Sequence, residues 1–359
     1  MTTLSPAEPD LAVLAALADA VLDDVKGHQA GFLAALGDHL GLFSGLAAHG
    51  PVGSVELSAA LHMDERYVRE WLHGMTTAGY VSVDAAGDTF SLTPEQALVF
   101  ATDDSPAAMG AMFHGMPGMW NGFDALLEAF RAGGGIGLDQ VHEHWWTSME
   151  RFTGGGFDRG LLDVWIPAAD GIHEALQAGA HVADVGCGRG KALITLLQAY
   201  PAATAVGYDL SSSQVAVARR RASASGVADR VRFVVADAAD GLGERFDLVT
   251  AFDVLHDLAA VDRTLEAVHT ALRPGGSLLA LDFRSAATLG ERVGREATML
   301  YGWSVAYCLT TSLAQQGDAL GTCGLPEPEM IARLARAGFG AARALDVEDP
   351  FQVLYQARA

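Results

Sequence analysis

Apolar residues recur at three- and four-residue intervals near the start of the chain, Leu11, Leu14 and Leu17 being followed by Phe32, Leu33, Leu36 and Leu40. That spacing predicts two packed helices over about 11–48. The rhythm then shortens. A helix is expected over 55–61 and another over 64–78 with Asp64 as its cap, then strands over 80–83 and 89–92. Between those strands Asp84-Ala-Ala-Gly87 supplies the turn residues of a hairpin. Helix, turn, helix and hairpin in this order describe a winged helix, with Tyr67, Val68, Trp71 and Leu72 expected in its core. From Asp103 to Gly179 the pattern is helical but interrupted at Gly133-Gly134-Gly135 and Gly154-Gly155-Gly156, as in a connector that packs over the next domain. From His181 onward strands and helices alternate: strands over 182–185, 204–208, 232–235, 248–252 and 277–282, with helices starting at Lys191 and Ser211. Such alternation predicts a parallel sheet wrapped by helices, which segments 339–344 and 351–355 would close with an antiparallel pair.

Composition narrows the class. At 359 residues the chain is long enough for two domains. The net charge is -21 and the only lysines are Lys26 and Lys191, so the surface field repels polyanions and weighs against a nucleic-acid substrate. Three separated cysteines, Cys187, Cys308 and Cys323, read as free thiols, with none of the close pairing of a zinc site or disulfide framework. No metal is expected. Every apolar run is broken before the roughly eighteen residues that a bilayer crossing needs, and the first ten residues lack the basic start and apolar centre of a signal peptide. The expectation is a cytoplasmic protein with no membrane partner.

The chemistry concentrates at the strand ends. The first strand of the alternating region runs into Asp184-Val-Gly186-Cys-Gly188-Arg-Gly190, where glycines let the backbone turn sharply and approach a ligand. The spacing is G-x-G-x-G, not the G-x-G-x-x-G of dinucleotide binding. A glycine loop alone is weak evidence. Here Tyr208-Asp209-Leu210 ends the second strand, where an acid can accept both ribose hydroxyls. Ala236-Asp237-Ala238 ends the third, Phe252-Asp253 the fourth, and Leu272-Arg-Pro-Gly-Gly276 turns into the fifth. One such acid is commonly a helix cap; the full ordered set is not explained that way.

Over residues 175–359 the chain resembles the class I S-adenosylmethionine (SAM)-dependent methyltransferases. The resemblance implies SAM as cofactor. Asp184, Gly186, Gly188 and Gly190 would receive its methionine part and Asp209 its ribose; Asp237 and Ala238 would flank adenine. Leu210 would touch the ring, and Phe252 and Asp253 would complete the cofactor side. The fold expected is α/β, a Rossmann-like class I methyltransferase sheet with an N-terminal helical winged-helix domain. Its divisions are 1–102 for the winged helix, 103–178 for the connector and substrate cover, and 179–359 for the SAM-binding domain.

SAM carries an electrophilic methyl group, so the protein's task is alignment and a dry cavity, and in-line positioning contributes roughly 7–11 kcal/mol. A phenol, with a pKa of about 10, is a poor nucleophile while protonated, so O-methylation profits from a histidine base. Phe252-Asp-Val-Leu-His256-Asp257 places a histidine just after the fourth strand. This resembles the His-Asp segment of small-molecule O-methyltransferases from plants and bacterial antibiotic pathways, in which that histidine is the base and a winged-helix domain makes a dimer. The aromatic residue that commonly follows His-Asp there is missing. The residues leave two readings open: His256 takes the proton, or it caps the next helix or touches substrate; Asp257 likewise orients the ring or caps a helix. Met109, Met112, Phe113, Met116, Met119 and Trp120 form a cluster that fits either core filling or an adaptable acceptor wall, with Trp145, Trp146, Tyr301, Trp303 and Tyr307 as further candidates. The function expected is methyl transfer to the hydroxyl of a small apolar or aromatic metabolite by a homodimer joined through its N-terminal domain. Two alternatives stand beside it. One is a SAM-binding winged-helix regulator, although residues 54–100 hold two arginines, no lysine and seven acids, a poor supply of phosphate contacts. The other is an enzyme that uses SAM without transferring methyl.

Overall fold

The computed structural model describes residues 9–105 and 107–359. Residues 1–8, most of the stretch judged above not to be a signal peptide, lie outside them. The chain divides into two compact units, Met1–Gly118 with His144–Phe152, and Met119–Glu143 with Thr153–Ala359.

In the first unit, helix α1 (Leu11–His39) starts at Asp10, whose carboxylate accepts the Ala12 N–H at 2.9 Å. Gly41, at φ 68°, turns the chain into α2 (Leu42–His49), so the expected helix pair forms with its break there. Helix α3 (Ser54–Leu61) and helix α4 (Glu65–Thr77), capped by Asp64, are followed by the antiparallel pair β1 (Ser82–Val83) and β2 (Phe90–Ser91). The Asp84 carboxylate holds the hairpin by accepting the N–H groups of Gly87, Asp88 and Thr89 at 2.9, 3.0 and 3.2 Å. Gly87 sits at φ 83°, which a side chain would resist. Helix α5 (Pro94–Phe100) opens with a Thr93/Gln96 capping box. Leu42, Phe43, Leu46, Leu57, Val68, Trp71, Leu72 and Met75 form the core, and the Trp71 indole donates to the Leu33 carbonyl at 2.8 Å. Tyr67 is not in it. At 80% exposure it lies outside an apolar face centred between Val68 and Met75, roughly a quarter-turn away on the helix.

The second unit is built on a seven-stranded sheet: β3 (His181–Val185), β4 (Thr204–Asp209), β5 (Val231–Val235), β6 (Phe246–Phe252), β7 (Leu272–Phe283), β8 (Ala341–Leu345) and β9 (Gln352–Arg358). The order is β5-β4-β3-β6-β7-β9-β8, with β9 antiparallel between β7 and β8 and the rest of the ladder parallel. The Rossmann-like sheet, its closing antiparallel pair and the winged helix are as expected. Because β3 lies in the middle and the chain moves first to one side and then to the other, the carboxyl ends of β3, β4 and β6 flank a topological switch point. Both faces are covered, so β3 and β6 are buried almost throughout.

Two local expectations differ. Gly154-Gly155-Gly156 do not interrupt a helix: Glu143–Gly156 is α-helical and continues as a wider π-helical turn over Phe157–Trp165. Small residues serve packing there, since a Cβ on Gly155 would stand 3.0 Å from the Arg159 guanidinium and one on Gly160 2.9 Å from the Trp165 indole. The segment 272–276 is itself the start of β7, bent where the pairing with β6 shifts register and where Gly275 adopts φ 80°. Among the described residues no single helix is long and apolar enough to cross a membrane; the α1–α2 pair, bent by 69°, passes that test by length and composition.

Candidate active site

The glycine loop is shaped by contacts that leave glycine no alternative at two positions and leave space at a third. Gly186, Gly188 and Gly190 all have positive φ. A Cβ on Gly186 would meet Val254 Cγ2 at 2.3 Å, and one on Gly190 would meet the Phe233 ring at 2.8 Å. At Gly188 nothing lies within 4 Å of that position, so this peptide faces open space rather than protein. Its N–H donates to Asp209 Oδ2 at 2.8 Å, while Asp209 Oδ1 accepts the Ser211 N–H at 2.7 Å. Each carboxylate oxygen keeps lone-pair capacity beyond these bonds, so the loop and the acid that ends β4 form one unit able to receive a ribose diol. Burial pushes the Asp209 carboxyl up and the two N–H groups oppose it.

Asp184, on β3, is buried and accepts the Thr250 hydroxyl at 2.6 Å. Burial pushes it up to about 7 despite that bond, and the charge of Asp209 adds to the shift. Asp237 is half-buried and caps a short turn through the Ala239 N–H at 2.9 Å; Ala238 is buried and Leu210 exposed beside β4. Phe252 ends β6 and packs on Phe157 and Trp165, with ring centroids 5.7 and 5.6 Å away. Asp253 follows at φ 54°, accepts a hydrogen bond from Gln352 Nε2, and is pushed up to about 7 by burial and by Asp282. The acids at this edge of the sheet make a negative environment that suits a cationic sulfonium, and the open face at Gly188 gives it room. The residues fit the expected cofactor.

His256 lies in the turn Leu255–Asp257 and is not a cap of the following helix, whose N-cap is Ala260. Its Nδ1 is 2.7 Å from Asp282 Oδ1, at the end of β7, which fixes that nitrogen as the donor. Its Nε2 is 3.1 Å from Asp257 Oδ1, a contact misaligned for a hydrogen bond; among the described residues that oxygen has no hydrogen-bond partner. Burial alone would lower the imidazole pKa, but the carboxylates of Asp257 and Asp282 overcome it and raise it well above the usual histidine value. Cys308 offers its sulfur within 4.8 Å of ligating atoms of His256 and Asp257. It accepts the Thr322 hydroxyl at 3.0 Å, and its thiol is pushed up to about 12 by burial and Asp257. The Tyr307 phenol is raised by burial and by Asp257, Cys308 and Asp209, so it stands within the field of both the histidine turn and the ribose acid.

The other acceptor candidates fall in both units. Tyr301 is at the surface, its hydroxyl accepting from Arg292 at 3.1 Å, and Trp120 is exposed against Phe123. Met109, Met112, Phe113, Met116 and Trp146 belong to the first unit. There Phe113 packs on the winged-helix core, and Met116 would stand 3.0 Å from a Cβ on Gly31. Three contributors escaped the sequence reading. Asp282 ends a strand, the same signal that marked the other acids. Arg189, inside the glycine loop, ties that loop to Gln214 at 2.7 Å and to Glu143. Cys308 carries no local signal at all.

Residues 176–322 match the methyltransferase domain family, and residues 29–102 match the Rv2258c-like winged HTH domain family. The chain is 26% identical over 285 residues to the mitomycin biosynthesis 6-O-methyltransferase of Streptomyces lavendulae, a match that covers 77% of this chain and 81% of that one. Several other curated methyltransferases are matched over less than two thirds of their own length. Among solved structures, the mitomycin 7-O-methyltransferase MmcR superposes with a TM-score of 0.70 at 20% identity, covering 98% of this chain and 100% of that one. Human N-acetylserotonin methyltransferase in complex with SAM superposes with a TM-score of 0.65 at 21% identity, covering 99% of each.

Proposed function

We propose that this chain, a SAM-dependent methyltransferase with an N-terminal winged helix–turn–helix domain, methylates a hydroxyl of a small apolar or aromatic acceptor with His256 as general base. Bound SAM supplies an electrophilic methyl group. Gly188 and Asp209 hold the cofactor, Asp237 and Ala238 bound its adenine, and Tyr307 lies toward the acceptor. The observation that carries the reading is the His256–Asp282 pair. The Nδ1 bond to Asp282 fixes the tautomer, so the neutral ring has Nε2 as its basic atom, and the carboxylate stabilises the imidazolium that forms when a proton arrives. Relatives named as O-methyltransferases support the same chemistry.

One observation favours a second role for the histidine. The ring is 1% exposed and both nitrogens face carboxylates, as in a residue that only holds the turn. The deciding experiment measures S-adenosylhomocysteine release with a panel of phenols and hydroxylated metabolites, for the wild type and for His256→Gln. Loss of turnover with SAM affinity kept supports the base. Full turnover in the variant overturns it, and no S-adenosylhomocysteine with any acceptor while SAM binds favours a non-methylating reaction.

A homodimer through the N-terminal unit belongs to the same proposal. Leu11, Leu14, Leu17, Val21, Leu22, Val25, Phe32 and Leu36 are exposed on α1, and at about 100° per residue they fall within an arc of roughly 140°. A long continuous apolar stripe of this kind is a surface for another helix. A second copy carries the same stripe, which is what a two-fold interface needs. The regulator alternative gains no support from α4, where Arg66 pairs with Glu70, and Arg69 with Glu65 at 3.4 Å, so both its cations are engaged by its own acids. A small-molecule acceptor rather than nucleic acid, and a cytoplasmic address, complete the reading.

A further inference from the structure

The first unit brings together three histidines that nothing in the methyl-transfer chemistry uses. His39 is the last residue of α1, His114 ends the helix Gly110–His114, and His144 lies in the helix Glu143–Gly156. The His39 and His114 rings stack with centroids 3.8 Å apart, and the His144 ring meets them edge-on at 4.4 and 5.6 Å. One ligating atom from each of the three lies within 4.8 Å of the others, and all three residues are half-buried.

The surroundings fix the His39 and His114 rings. His39 Nε2 is 3.1 Å from the His114 carbonyl oxygen, which can only accept, so Nε2 carries the proton and Nδ1 the lone pair. His114 Nδ1 is 2.7 Å from Asp38 Oδ2, so Nδ1 donates and Nε2 carries the lone pair. Asp38 is itself clamped by Arg151 through bonds of 2.7 and 2.8 Å, and Arg151 by Asp103 through bonds of 2.7 and 2.9 Å. A carboxylate on the far nitrogen of a histidine, held in turn by further hydrogen bonds, is the arrangement that orients metal-ligating imidazoles. Apolar packing alone gives no reason to gather three imidazoles, whose ring nitrogens cost free energy on burial.

We propose that His39, His114 and His144 bind a divalent transition-metal ion of the zinc class. Three neutral imidazoles are a common zinc donor set, with a water completing the tetrahedron, and imidazole also suits copper and nickel. Tetrahedral zinc at roughly 2.0–2.1 Å from each nitrogen holds the nitrogens roughly 3.4 Å apart, so the cluster closes onto an ion by rotation of the stacked His39 and His114 rings, now 28° from parallel, until their in-plane lone pairs converge. The ion would tie together the end of α1 and two later helices of the same unit. The site is invisible in sequence spacing because His39 and His114 are 75 residues apart, far from the short spacings that mark zinc motifs.

The test uses the full chain with any affinity tag removed and metals stripped by a chelator. Cobalt(II) is titrated by its visible absorption, and zinc by competition with bound cobalt. The expected result is one equivalent bound at micromolar affinity or better, a zinc-dependent rise in the melting temperature, and loss of both in His39→Asn/His114→Gln. Asp38→Asn should weaken binding by about 10–100-fold, while His28→Gln and Cys308→Ser should keep it; Cys308 reports on the His256–Asp257–Cys308 group, whose atoms are similarly close. Circular dichroism checks the fold, and His144→Gln serves as a second variant if the double one unfolds. Millimolar or absent binding, binding untouched by the histidine variants, or binding lost in Cys308→Ser overturns the proposal and leaves the cluster as packing.

Discussion

Asp282→Asn isolates what Asp282 does for His256. Asparagine has the same shape, its carbonyl can keep accepting from His256 Nδ1 and from the Phe283 N–H, bonds of 2.7 and 2.8 Å, and its NH2 falls where Oδ2 has no hydrogen-bond partner among the described residues. The charge is what disappears. A hydrogen bond to a charged group contributes about 1.5–3 kcal/mol, against about half that for a neutral one, so the imidazolium formed during proton transfer loses about 0.75–1.5 kcal/mol. At about 1.4 kcal/mol per decade the plateau turnover falls roughly three- to twelvefold. The pH profile supplies the second readout. Turnover follows the neutral imidazole, so it is low below the His256 pKa and rises through it. In the wild type the two carboxylates place that limb above the ordinary histidine value, and removing one of them moves it to lower pH. The assay is S-adenosylhomocysteine release at saturating SAM from neutral to alkaline pH, with SAM affinity and melting temperature checked separately. A variant with full turnover and an unmoved limb would refute proton transfer by His256.

Gly186 and Gly188 should respond to alanine by different amounts in stability and in SAM binding. Gly186→Ala places a Cβ 2.3 Å from Val254 at φ 69° and should cost about 2–4 kcal/mol of stability, read as a lower denaturant midpoint. Gly188→Ala meets no atom within 4 Å and should cost only the roughly 1–2 kcal/mol of a side chain at φ 50°, while its SAM affinity, measured by calorimetry, falls at least about tenfold through lost ligand contact. Leu14→Glu/Val21→Glu/Val25→Glu charges the α1 stripe and should halve the mass measured by light scattering; an unchanged dimer would place the interface elsewhere. Asp184 and Asp253 are each pushed up to about 7. A cation stabilises their ionised forms, so SAM affinity should fall as pH drops through 7, with protons released on binding. Calorimetry in buffers of different ionisation heat checks this, and a flat dependence counts against these acids as the cofactor's neighbours.

What the sequence made legible is what local rules control. Gly186, Gly188 and Gly190 are required by backbone angles and close approach, and Asp209 and Asp237 by their place at strand ends; such features depend on a few neighbouring residues. Asp282 obeyed the same rule and could have been found by it. Cys308 and Tyr307 could not be tied to the histidine, because they arrive from a π-helical turn whose position depends on the packing of the whole unit. Tyr67 was misread for a related reason: apolar spacing identifies a face, while the edge of that face is set by what packs against it.

Helix α1 carries this limit furthest. Its stripe announces a helix, and the helix pair expected over about 11–48 leaves open how much of that stripe α2 covers. The turn at Gly41 instead sends α2 into the core with Leu42, Phe43 and Leu46, and leaves Leu14, Val21 and Val25 more than half exposed. A helix of 29 residues is about 44 Å long at 1.5 Å per residue, longer than α2 could cover with its 8 residues. Length alone therefore argues that the stripe is matched to a partner helix of similar extent, which α1 of a second copy would supply. In the proposed homodimer this stripe would be buried between two copies of the chain, and the triple glutamate variant of α1 tests that placement.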